Sequence, residues 1–178
     1  MRVRTATLAD AEAVARVNIE SWRKAYRGKM PQTHLDALDP AERTSTWQEW
    51  LTLNAGGIFV LDDPAEGVVG YVSVGASRDP AADPATTGQV WAIYVAPGHW
   101  GRGGGRLLMA TAVDRLAALG FREATLWVLD TNERARHFYE AAGWRPDGTT
   151  KPGNARGFPL PELRYRTDLP LHHCPPPA

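Results

Sequence analysis

The sequence predicts one α/β domain, and three observations carry that expectation. Its 178 residues suffice for a single sizeable core and are short for two ordinary domains. Apolar spacing is largely helical before Gly57 and becomes β-rich after it. The central stretch then reads strand, glycine loop, helix, strand, helix, an α/β order whose crossover should be right-handed.

Each element has its own reason. VRTATLAD alternates and stops at Asp10, an N-cap residue for a helix reading AEAVARVNIESWRKAY, residues 11–26. Val14, Val17 and Trp22 lie close to one face of that helix, which ends near Gly28 and Pro31. PAERTSTWQEWL, residues 40–51, is a second helical piece with Trp47 and Leu51 four apart. GIFVLDD and VVGYVSVGA are strands joined by PAEG into an antiparallel hairpin. A Pro/Asp/Thr-rich loop, residues 77–88, leads to the strand QVWAIYVA, which Pro97 breaks. LLMATAVDRLAALG, residues 107–120, is a helix whose Leu108, Ala112, Leu116 and Leu119 keep the spacing of one buried stripe, closed by Gly120. EATLWVL is a strand, and NERARHFYEAAG a short helix with Ala135, Phe138, Tyr139 and Ala142 on one face. ELRYRTDL is the last strand, after a Gly/Pro-rich loop. The domain is expected to span residues 1–169, with PLHHCPPPA, residues 170–178, a disordered tail.

Composition excludes several classes. With 43% hydrophobic residues, 22% charged and a formal net charge of zero, bulk charge calls for no nucleic acid and no anionic membrane. No stretch approaches a membrane span and MRVRTATLAD lacks an apolar signal core, so a cytoplasmic location is expected. The single cysteine, Cys174, excludes an intrachain disulfide and suits a reducing compartment. Beside it, His172 and His173 look like metal ligands in composition only, and no metal site is expected.

The densest signal is WGRGGGR, residues 100–106, directly before a helix. Glycines without a task weaken a helix start by about 0.5–1 kcal/mol each. A dinucleotide fingerprint fails, because G-x-G-x-x-G from Gly101 ends on Arg106 and from Gly103 on Leu108. A nucleotide-triphosphate loop fails too, since none of the three lysines is near. What remains is a row of backbone N–H groups at the positive end of a helix, with Arg102 and Arg106 adding charge, suited to a phosphate-bearing ligand.

IYVAPGHWGRGGG resembles the acyl-CoA-binding motif of the GCN5-related N-acetyltransferase (GNAT) family, Arg/Gln-x-x-Gly-x-Gly/Ala after a strand ending in Val-x-Pro. Gly103 and Gly105 fall on its two required positions, and Trp100 stands where Arg or Gln is usual. NERARHFYEAAGW resembles the family's second signature, with Asn132 and Tyr139 seven apart. The resemblance is sharp between Gln89 and Trp144 and follows the element order over residues 1–169. It implies a GNAT-like fold, α/β in the α+β sense: a central, mixed, mostly antiparallel twisted sheet flanked by helices, with a strand–Gly loop–helix cofactor site. It also implies acetyl-CoA as acyl donor, held by Ile93, Tyr94 and Val95 at the strand end, by Gly101, Arg102, Gly103, Gly104, Gly105 and Arg106, and by Asn132. The strand should splay from its neighbour after AIYV to leave room for the pantetheine arm.

The chemistry so implied is direct attack of an amine, from a small molecule or a peptide, on the thioester in a ternary complex. Val95 N–H serves as oxyanion donor and Tyr139 protonates the leaving thiolate. Read from its own helix alone, Tyr139 is first a core aromatic, on one stripe with Ala135 and Ala142, and Asn132 a cap. The base is open: Gln89, Trp91 and Trp127 occupy the strands where family members often carry a glutamate, leaving Glu20, His99, Asp79 and Asp83. His99, in a loop, is as readily a surface residue. Glu20, Trp22 and Tyr26 on the first helix are the candidate acceptor pocket; Trp47, Trp50 and Trp91 could frame it or pack in the core. Missing strand carboxylates also fit a non-catalytic acyl-CoA-binding or sensing module. A homodimer is the assembly common in similar proteins.

Overall fold

The computed structural model describes residues 1–152, 154–155 and 158–170. Its strands are β1 (Arg2–Thr5), β2 (Ile58–Asp63), β3 (Gly67–Ala76), β4 (Thr87–Val95), β5 (Glu123–Leu129), β6 (Arg145–Lys151), β7 (Asn154–Ala155), β8 (Phe158–Pro159) and β9 (Glu162–Asp168). The α-helices are α1 (Ala11–Ala25), α2 (Gln32–Asp36), α3 (Pro40–Leu53), α4 (Gly104–Ala118) and α5 (Glu133–Ala141). Among the described residues no helix is long and apolar enough to cross a membrane.

Seven strands form one sheet in the order β1-β2-β3-β4-β5-β9-β6, with β7 and β8 a separate pair. β1 with β2, β2 with β3, β5 with β9 and β6 with β9 are antiparallel. Ser77 N–H donates to Thr87 O and Ala96 N–H to Val69 O, which makes β3 and β4 antiparallel as well. β4 and β5 are parallel, and the connection between them contains α4, the crossover that parallel neighbours require. The mixed, mostly antiparallel sheet is therefore as expected.

Residue contacts sort the chain into two units, Met1–Ser73 with Ala92–Thr111, and Val74–Trp91 with Ala112–Ala178. In the first, α1 buries Val14 and Val17, α3 buries Trp47 and Leu51, and these meet Ile58, Val60, Val68 and Tyr71 of the hairpin in one core. Apolar residues three and four apart on each helix produce that stripe. Trp47 packs edge-on against Tyr71, ring centroids 4.7 Å apart. In the second unit the buried residues include Leu116 of α4, Leu126 of β5, Tyr139 of α5 and Tyr165 of β9.

Several expectations shift. Asp10 precedes α1 but makes no side-chain cap to it; its carboxylate takes a bidentate pair from Arg4 at 2.8 Å and the Thr7 N–H at 2.8 Å. Leu119 is 47% exposed because α4 ends at Ala118, and Ala142 is exposed just beyond α5. α2 and β6 are additional elements, and the loop after β3 ends two residues sooner, with β4 starting at Thr87. His172, His173, Cys174 and the tail from residue 171 lie outside the described residues.

Candidate functional site

The strand end comes first. The register of β4 on β5 runs from Thr87↔Glu123 to Val90↔Leu126 and stops, while β5 stays paired with β9 as far as Leu129. Pairing thus ends at Val90, five residues earlier than the splay expected after AIYV. On the other edge, Ala96 N–H is held by Val69 O at 2.8 Å. Backbone groups alternate along a strand, so the N–H groups of Ile93 and Val95 face away from β3 and Tyr94 faces toward it. Gly70 confirms the sense: a Cβ there would lie 2.9 Å from Tyr94 O.

After β4 the chain makes a short 3-10 turn, Pro97–His99, and enters the glycines. Gly101 and Gly103 have φ of +78° and +84°, the left-handed region that L side chains rarely adopt. Gly104 is closely packed for a different reason: a Cβ there would lie 2.4 Å from Leu61 Cδ2, so that side chain would have to shift. Gly103 O accepts from Arg106 N at 3.0 Å and Leu107 N at 3.2 Å, closing the first turn of α4. The N–H groups of Gly103, Gly104 and Gly105 precede that turn and have no acceptor within the helix. Gly103 occupies the capping position, so no side chain competes for them. Arg102 and Arg106 are exposed beside this row.

Asn132 and Tyr139 stand at the start and near the end of α5. The Asn132 side chain accepts from Ala135 N at 3.3 Å, so it does cap the helix, and its amide nitrogen is left to donate. Tyr139 is 8% exposed, between Phe138 and Tyr165 at centroid distances of 5.4 and 6.1 Å.

The candidates for a base separate by environment. His99 is buried, not on the surface, with Nε2 3.1 Å from Glu66 Oε1. Asp79 accepts from Trp127 Nε1 at 2.7 Å and pairs with Arg164. Asp83 closes its own loop through Ala85 N and Thr86 Oγ1. Glu20 is exposed on α1. Trp22 of the same helix packs against Tyr26, just past its end, with ring centroids 4.8 Å apart and planes tilted by 46°, and lies under the Arg43 guanidinium at 5.8 Å. Beneath, Asn18 Nδ2 donates to Tyr71 Oη at 2.7 Å, and complete burial pushes the Tyr71 hydroxyl well above its usual pKa. Of the other tryptophans, Trp91 carries the Arg78 guanidinium 3.8 Å over its ring and Trp127 the Lys151 ammonium at 4.1 Å. Among the described residues no group of three or more His, Cys, Asp or Glu could hold a metal ion.

Two side chains around the strand end were not legible as a pair in the sequence. The Trp100 indole donates to Val95 O at 2.7 Å, and Ser21 Oγ to the same oxygen at 3.3 Å. Ser21 lies 74 residues from Val95, so no local pattern announces it.

The site can be set beside known proteins. The acetyltransferase (GNAT) family matches residues 19–144. An uncharacterized N-acetyltransferase of Bacillus subtilis (strain 168), YuaI, is 31% identical over 139 residues, covering 78% of this chain and 77% of that protein. Among solved structures, a ribosomal-protein-alanine N-acetyltransferase from Brucella melitensis superposes with a TM-score of 0.74 at 21% identity, over 95% of this chain and 100% of that one. The structure of yncA from Salmonella typhimurium with its cofactor acetyl-CoA superposes with a TM-score of 0.71 at 22% identity, over 98% and 97%. With the glycine row and the strand end in place, these likenesses agree with the fold: the chain belongs to the acetyltransferase (GNAT) family and is an N-acetyltransferase.

Proposed function

We propose that the protein transfers the acetyl group of acetyl-CoA to a primary amine of a small molecule or peptide, by direct attack in a ternary complex. One observation carries the reading. Gly103, Gly104 and Gly105 open α4, the capping position being a glycine with no side chain of its own, a few residues after a strand end whose Ile93 and Val95 amides face away from β3. The first group suits a diphosphate, with Arg102 and Arg106 beside it. The second suits an extended amide-bearing arm that pairs like an added strand.

In this reading the amine nitrogen attacks the thioester carbon and the developing oxyanion is met by Val95 N–H. The C–S bond then breaks, the thiolate takes a proton from the Tyr139 hydroxyl, and the amine loses one to solvent or a base. Asn132, capping α5 through its oxygen, offers its amide nitrogen to the cofactor. Glu20, Trp22 and Tyr26 contribute the acceptor side. His99, Asp79 and Asp83 are already engaged within the fold, which favours an acceptor amine with little need of a strong base.

Acetyl-CoA at one hundred times its dissociation constant should stabilise the fold by about 2.7 kcal/mol, read as a melting shift. Absence of any shift at millimolar acetyl-CoA would overturn the donor assignment. Free thiol released with one member of an amine panel identifies the acceptor; a melting shift without release from any amine would leave an acyl-CoA-binding module. Tyr139→Phe should lower kcat while leaving acetyl-CoA affinity unchanged, and an unaltered kcat removes the hydroxyl from the mechanism.

A further inference from the structure

We propose that Trp100 is a positioning residue for acyl transfer, holding the peptide after Val95 so that Val95 N–H is aimed at the thioester oxygen. The inference rests on the acetyl-transfer reading above, in which that N–H is the oxyanion donor.

The support is a set of contacts within one unit. Trp100 Nε1–H donates to Val95 O at 2.7 Å and Ser21 Oγ to the same oxygen at 3.3 Å, so both lone pairs of this carbonyl are used. The far side of that peptide is Ala96 N–H, bonded to Val69 O at 2.8 Å. A peptide unit is planar, and one held at both ends cannot rotate. The preceding peptide joins Tyr94 to Val95. Its carbonyl sits against Gly70, where an added Cβ would lie 2.9 Å from the oxygen. Planarity then turns its N–H, which is that of Val95, to the opposite edge.

The pattern has a chemical sense. Beyond Val90 the register with β5 has ended, so a carbonyl on this edge has lost the ladder that would use it. Left open, Val95 O would accept from water or from an amide of the incoming substrate, and would place negative partial charge where negative charge must develop. Occupied by two donors of the protein, it is removed from that edge and its partial charge is offset. Trp100 is suited to the task because its indole has one donor and no acceptor. The substitution of Trp for the Arg or Gln of the related motif therefore turns this position inward to the strand end.

Trp100→Phe removes the N–H and keeps an aromatic ring. It is compared with the wild type in kcat, in KM for acetyl-CoA, in melting temperature, and in the infrared band of a 13C-labelled thioester carbonyl in bound acetyl-CoA without acceptor. The expected result is a kcat lowered about tenfold, since a mis-aimed donor loses part of the hundredfold or more that a deleted oxyanion donor loses. KM should stay within about twofold, because no ligand contact is removed, and the band should move toward its solution frequency. Ser21→Ala should act in the same direction and more weakly, its bond being longer; it carries the test if Trp100→Phe does not fold. A folded variant with wild-type kcat and band overturns the proposal. So does a variant that loses melting temperature, KM and kcat together with the band unmoved, which marks a general packing role. A wild-type protein that binds no acetyl-CoA, or releases no thiol, overturns the acetyl-transfer reading instead.

Discussion

Gly104→Ala tests the physical account of the glycine row most directly. The added Cβ would lie 2.4 Å from Leu61 Cδ2, against about 3.4 Å for ordinary contact, an overlap of about 1.0 Å. Leu61, on β2, is completely buried, so its side chain can shift only against packed neighbours and not into solvent. Overpacking of this kind costs roughly 1–3 kcal/mol. Replacing glycine in a helix returns about 0.5–1 kcal/mol, leaving a net loss of up to about 2.5 kcal/mol. Leu61→Val removes the clashing carbon and by itself should cost about 1 kcal/mol for the lost methylene and its cavity. In the double variant the new methyl occupies the vacated space, so the two costs should not add; the shortfall should be at least about 1 kcal/mol. Urea denaturation of all four proteins measures it, and affinity for acetyl-CoA should fall in Gly104→Ala and recover in the double variant. Additivity within about 0.5 kcal/mol, the behaviour of independent sites, would refute the steric reasoning. Gly103→Ala is the contrast, because nothing lies within 4 Å of its Cβ and φ is +84°; its strain cannot be relieved at Leu61.

Two further substitutions probe the first unit. The Arg4 guanidinium and Thr7 hold the Asp10 carboxyl at a pKa of about 2, below its usual 3.8. A depressed pKa adds stability above the unfolded value, lost as pH falls through the folded one, so Asp10→Asn should cost about 2 kcal/mol at pH 7. The difference between the two melting temperatures should shrink as pH falls from 4 through 2 and vanish only below it, and a difference undiminished at pH 2 contradicts the ion-pair origin. Tyr71→Phe should cost about 1–3 kcal/mol by orphaning Asn18 Nδ2 beside an amide oxygen that already has no partner. Adding Asn18→Leu should restore most of that loss in denaturation; failure to restore it would show the hydroxyl is not the cause.

The elements legible in the sequence are those with a local signal. The hairpin, the strand before Pro97 and the glycine-opened helix depend on periods and breakers that a few neighbouring residues define. α2, five residues long, is too short to display a helical period. β6 is an edge strand whose residues are exposed or half-buried throughout, so RPDGTTK shows no apolar alternation. The fates of Leu119 and Ala142 turned on where a helix stops, which depends on backbone bonds at its end rather than on the apolar stripe leading to it.

The site divides along the same line. Sequence by itself determined the row of glycine amides, because only glycine leaves the backbone bare and only consecutive residues can open one helix turn. It also determined Asn132 and Tyr139 as one helix's residues, seven apart. Tertiary structure decided which backbone groups are free and which are held. The end of pairing at Val90 is set by sheet register, and the burial of His99 against Glu66 and the Ser21 bond to Val95 O join residues distant in the chain. A hydrogen bond between residues 74 apart leaves no trace in local composition, because it follows from how strands and helices pack rather than from what either contains.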